Sequence, residues 1–115
     1  MAIIGAHAML FTKDADADRA FLRDVIGLKA VDAGHGWLIF ALPPSEMGVH
    51  PGEKNDVYEL YFMTDNVEAE IAGLRAKGVA CDDIADRGWG LISAVAMPGG
   101  GKLALYQPRH PLAHG

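Results

Sequence analysis

The sequence predicts an α+β domain built as two tandem βαβββ units. Three observations lead there. Apolar spacing switches from strand to helix and back twice along the chain. The two halves overlay with a shift of 52 residues, which sets His7 on Glu59 and Gly36-Trp37 on Gly88-Trp89. The closing segments match at a shift of 56, which sets His50 on Tyr106. Such self-similarity marks an internal duplication. One unit cannot close a core around its own sheet, so two must lie side by side or pair with another chain. A length of 115 residues suits one domain over 1–115, with a first unit at 1–52, a second at 53–108 and a tail at 109–115.

Ile3 to Thr12 alternates as a strand. "KDADADRAFLRDVIGL" then takes helical spacing, with Ala17, Phe21, Leu22, Val25 and Ile26 on one face and Asp and Arg on the other. Asp14 or Asp16 can cap its start, and Gly27 can end it. "LKAVD" and "GWLIFAL" read as short strands on either side of the turn "AGHG", where His35 reads as an exposed turn residue. Pro43-Pro44 breaks the second of these, "EMGVH" is a candidate further strand, and "PGEKND" is a polar connection. "VYELYFMT", Val57 to Thr64, opens the second unit as a strand. Alternation puts Val57, Glu59, Tyr61 and Met63 on one side, so a carboxylate stands among apolar groups and needs a partner. "NVEAEIAGLRAKG" follows as a second helix: Asn66 caps it, Val67, Ile71 and Leu74 form its stripe, and Gly78 stops it. "VACDDI", "WGLISAVAM" and "KLALYQ" are the remaining strands, the last two joined by "PGGG". The tail "PRHPLAHG" is expected to fray, leaving His110 and His114 without a role.

Composition removes several function classes. The net charge is −5 and no basic stripe exists, so nucleic acid is not an expected partner. The longest apolar runs are too short to cross a membrane, and "MAIIGAHAML" lacks a basic start before an apolar signal core. The single Cys81 excludes an internal disulfide, fits a reducing cytoplasm, and reads as a small buried or half-buried filler. "PGGGK" lacks the following Ser or Thr of a phosphate loop and runs into a strand, so it reads as a hairpin turn. "DADADR" lacks the Gly and distal Glu of a calcium loop, and helix-start acids explain it.

The ordered set "HAMLFTKDADADRAFLRDVIGLKAV", "ELYFMTDNVEAEIAGLRAKGV" and "WGLISAVAMPGGGKLALYQP" resembles the vicinal oxygen chelate superfamily. That superfamily includes glyoxalase I, extradiol dioxygenases, and bleomycin- and fosfomycin-resistance proteins. The resemblance covers nearly the whole chain. It implies a curved mixed sheet around a cleft, a small-molecule ligand, and a homodimer, since single-domain relatives usually complete their clefts between chains. In metal-using members it implies four ligand positions, one in the first and one in the last strand of each unit. His7 and Glu59 fall on the first-strand positions. Gly48 and Ala104 fall on the last-strand positions and cannot ligate through a side chain. The closing hairpin usually carries Asp-Pro-x-Gly, where this chain has Met97-Pro98-Gly99-Gly100. His50 and Tyr106 lie two residues further along the last strands, on the same face and about 6–7 Å on. A bulge could turn His50 inward.

Three readings follow. His7, His50 and Glu59 could hold a divalent metal, either iron, manganese, nickel or zinc. Glu59 would then be a ligand, or a general base once released, in a lyase, isomerase or dioxygenase. Alternatively the cleft holds no metal and binds or sequesters a drug-like molecule. Its pocket would be lined by Trp37, Tyr61, Trp89 and Met63, with Tyr106, Glu59, His7 and His50 as polar anchors. In the third reading Glu59 and His7 only satisfy one another, or an Arg, inside an interface.

Overall fold

Asp14, one of the two candidate caps, starts the first helix. Its carboxylate accepts the Ala17 amide at 3.1 Å, and α1 runs Ala15–Phe21. The computed structural model describes residues 7–114, so Ile3 to Ala6 of the expected first strand lie outside it. Past Phe21 the helix widens into a π turn, Leu22–Ile26. It ends at Gly27, whose φ of 87° lets the Gly27 and Leu28 amides both reach the Leu22 carbonyl at 3.0 Å. A two-stranded antiparallel hairpin follows, β1 (Ala30–Asp32) and β2 (Leu38–Phe40), with Ala30 opposite Phe40.

The second unit carries the larger sheet. Its elements are β3 (Tyr61–Met63), α2 (Val67–Ala76), β4 (Ala85–Asp86), β5 (Gly90–Ala96) and β6 (Lys102–Pro108). The strand order is β3-β6-β5-β4, with β3 parallel to β6 and the other pairs antiparallel. The sheet is therefore mixed, as expected. Asn66 caps α2 by accepting the Ala69 amide at 3.1 Å. Gly78, at φ 83°, turns the chain so that the Val79 amide closes on the Leu74 carbonyl at 3.0 Å. The orphan amide of Val67 finds the Gln107 side-chain oxygen at 3.1 Å, which ties the helix start to β6.

The core lies between α2, α1 and one face of this sheet. Val67, Ile71 and Leu74 of α2 meet Val95 and Leu103, with Phe21 joining from α1. Strand alternation puts Phe62, Val95, Leu103 and Leu105 on that face. Tyr61, Met63, Ile92, Ala94, Ala104 and Tyr106 stand on the other. The duplication is visible in the turns: Gly36 and Gly88 precede the two tryptophans, and each has φ 81°.

Several expected strands are shorter than read or do not form. His7 to Thr12 enter no ladder, nor does "EMGVH", and β3 begins at Tyr61 rather than Val57. A strand needs a neighbour to take its amides and carbonyls. Pro43, Pro44 and Pro51 withhold amides from this region, and residues 41–60 carry no strand. Within "VACDDI" only Cys81 makes a bridge, to Val95. Cys81 is half-buried, and burial pushes its thiol pKa up against the opposing pull of Arg75. The tail does not simply fray. The Ala113 amide donates to Glu46 at 2.8 Å, and the His114 ring meets the Ser45 carbonyl at 2.6 Å. Among the described residues no helix is long and apolar enough to cross a membrane.

Candidate functional site

The sheet face opposite the core is floored by small residues. Ala104 lies across from Tyr61 on one side and from Ala94 on the other. Next along β6 stands Tyr106, between Met63 and Ile92. Its ring is the hub of an aromatic cluster. Tyr61 approaches edge-on at 5.7 Å between centroids, with planes at 85°. Trp89 does the same from the other side at 5.4 Å and 74°. Each such pair contributes about 0.5–1.5 kcal/mol beyond the area it buries. Gly90 makes this possible. A Cβ there would stand 2.8 Å from the Gln107 carbonyl oxygen and 3.1 Å from a carbon of the Tyr106 ring.

Polar groups converge on the same cluster. The Tyr61 hydroxyl donates to the Glu59 carboxylate in a short hydrogen bond. That bond, then burial, raises the Tyr61 pKa above the ordinary phenol value. Burial, and secondarily the Glu46 charge, raise that of Tyr106. Both phenols therefore stay protonated at neutral pH. His110 reaches the Tyr106 hydroxyl with Nε2 at 3.2 Å, while its Nδ1 lies 2.9 Å from the Pro111 carbonyl. A carbonyl only accepts, so Nδ1 donates to Pro111, which leaves Nε2 facing the Tyr106 hydroxyl. Glu46 stands 3.9 Å beyond that Nε2. His110, expected to have no role, is thus a member of the cluster.

Of the expected pocket residues, Tyr61, Trp89 and Tyr106 come together, with Met63 opposite Tyr106 in the sheet. Trp37 stands apart on the β1–β2 hairpin, with the Arg19 guanidinium 4.9 Å over its ring. His7 is exposed. His50 is exposed too, and its Nδ1 meets the carbonyl of the adjacent Pro51 at 2.6 Å. Among the described residues no three His, Cys, Asp or Glu side chains gather where a metal ion could sit. Among the described residues of a single chain the three expected donors are not brought together: the segment holding His50 forms no strand to carry it inward, and Glu59 is turned to Tyr61. Sequence reasoning missed Gly90, His110 and Glu46. Gly90 follows the Gly88-Trp89 pair where the first unit has Leu38, so the repeat carried no signal for it. None existed for Glu46, whose contacts are all distant in sequence.

The architecture is an α+β domain, a mixed sheet with a helix on one face and an aromatic cluster on the other. The chain belongs to the Glyoxalase/Bleomycin resistance protein/Dioxygenase superfamily, whose family model matches residues 5–105. Among solved structures it is similar to TnmS3, an antibiotic binding protein from Streptomyces sp. CB03234. The two share 27% identity over 94% of this chain and 98% of that one, with a TM-score of 0.65. It is similar in fold to the lactoylglutathione lyase of Agrobacterium tumefaciens, at 17% identity, 93% and 94% coverage, and a TM-score of 0.67. A glyoxalase/bleomycin resistance protein from the same Streptomyces strain matches at 22% identity, 85% and 93% coverage, and a TM-score of 0.55. No curated protein matches the chain.

Proposed function

We infer that this protein binds or sequesters a small, flat, antibiotic-like molecule without using a metal. The observation that carries this reading is the convergence of Tyr61, Trp89 and Tyr106 on one sheet face. The floor there carries small side chains, at Ala94 and Ala104. Glu59 and His110 supply the few polar contacts that orient a ligand. The similarity to an antibiotic binding protein supports the same class of ligand. Within one chain His7, His50 and Glu59 do not gather among the described residues, which favours the metal-free reading over a metal-dependent lyase, isomerase or dioxygenase.

The ligand cleft is completed by a second copy of the chain. Support comes from the large apolar side chains exposed in the strandless stretch before β3, among them Val49 (94%) and Tyr58 (86%).

The test is Trp89 fluorescence in a Trp37→Phe background, titrated with a panel of planar aromatic antibiotics. At least one member should quench with saturation. Trp89→Ala and Tyr106→Ala should each weaken that ligand about 10-fold or more, as measured calorimetrically. A panel without saturating binders, or binders indifferent to both substitutions, overturns the reading. Iron(II), manganese, nickel and zinc should each leave the affinity unchanged.

A further inference from the structure

Asp18 lies at the far end of the β5–β6 hairpin from the aromatic cluster. It is separated from it by four residues of β6, about 13 Å of strand. It is a helix residue, 2% exposed. Its Oδ1 accepts the Gly99 amide at 2.7 Å, which ties α1 to the hairpin turn. Its Oδ2 is buried and has no hydrogen-bond partner among the described residues. A carboxylate oxygen in that state calls for a donor.

The space beside it shows what kind. A cavity of about 440 Å³ opens there, between the Leu10–Lys13 segment and the Met97–Lys102 turn. That is many times the roughly 30 Å³ share of one water. Leu10, Phe11 and Met97 give it an apolar wall. At Gly99 a Cβ would stand 2.0 Å from the Thr12 hydroxyl and 2.8 Å from Asp18 Oδ2, so the two oxygens lie close together against the turn. A buried negative oxygen prefers a charged donor to a neutral one. Lys102 is already held by both Asp82 oxygens at 3.0 Å and does not supply it.

We propose that this cavity is a second ligand site, which takes a small molecule carrying a primary ammonium on an apolar body. The ammonium donates to Asp18 Oδ2 and the Thr12 hydroxyl. The apolar body covers Leu10 and Phe11, and Phe11 is otherwise 90% exposed.

The experiment follows backbone amide resonances of the full chain during titration with phenethylammonium, with phenylethanol as the neutral isostere. The amine should shift Gly99, Gly100 and Gly101 and bind about ten-fold tighter than the alcohol. Asp18→Asn keeps the acceptor for the Gly99 amide and should remove that preference. Phe11→Ala, at an exposed position, should weaken amine and alcohol alike. Trp89→Ala should change neither. Equal affinity for the two probes overturns the proposal, as does a preference that survives Asp18→Asn. Should Asp18→Asn not fold, shifts confined to residues outside Gly99–Gly101 in the unsubstituted chain overturn it on their own.

Discussion

Glu59 looked misplaced as a charge inside an apolar strand. Its place is explained by Tyr61, whose hydroxyl it accepts. A protonated phenol bonded to a carboxylate is a pH-sensitive pair. The Tyr61 pKa is raised in the folded chain, first by this bond and then by burial, so the folded state holds the proton more tightly than the unfolded one. The stabilisation is therefore complete below the ordinary phenol pKa of about 10 and is lost as pH rises through the higher folded value. Tyr106, raised by burial and by Glu46, adds in the same direction. Melting temperatures taken from neutral to strongly alkaline pH, in a Tyr58→Phe background, should fall steeply above about pH 10. Tyr61→Phe should flatten that fall. An alkaline limb unchanged by Tyr61→Phe sinks the assignment.

At the scale of elements, what formed is what had a partner within the chain. α2 carries its own instructions: a capping Asn66, a stripe of Val67, Ile71 and Leu74, and a stop at Gly78. Replacing Asn66 by Ala strands the Ala69 amide and should lower stability by about 1 kcal/mol in urea titration, while Asn66→Asp should cost almost nothing. Equal losses for the two would mean that the cap contributes nothing. The long closing hairpin was equally legible, because β5 and β6 alternate cleanly across a Gly-rich turn. The strand readings at His7–Thr12, "EMGVH" and Val57–Leu60 rested on the same alternation and did not become strands. Periodicity reports which face a strand would bury. It does not report whether a neighbour is present to pair with. The site divides along the same line. Tyr61, Trp89 and Tyr106 sit on formed or adjoining strands and came together. His7 and His50 sit on segments without ladders and did not join them.

The whole molecule carries that incompleteness as surface. A folded monomer of 12.3 kDa exposes about 6,100 Å², whereas this chain exposes 8778 Å². Its radius of gyration is 15.1 Å, against about 13 Å for a compact chain of this length. The excess area, about 2,700 Å² per chain, exceeds what a standard interface needs from each partner and falls in the obligate range. Met47, Val49, Val57 and Tyr58 contribute to it, and all lie in the strandless stretch before β3. A second copy that supplied the missing ladders would bury these side chains and wall the aromatic face in one step. Sedimentation at micromolar concentration should therefore give a dimer, and the melting temperature should rise with protein concentration. Val49→Asp and Tyr58→Asp, exposed in the single chain, should be harmless if it works alone. In a dimer each should shift the population to monomer and weaken ligand binding at Trp89 together with it. A monomer whose melting point ignores concentration, and which tolerates both charges, would mean that the open face is complete as it stands.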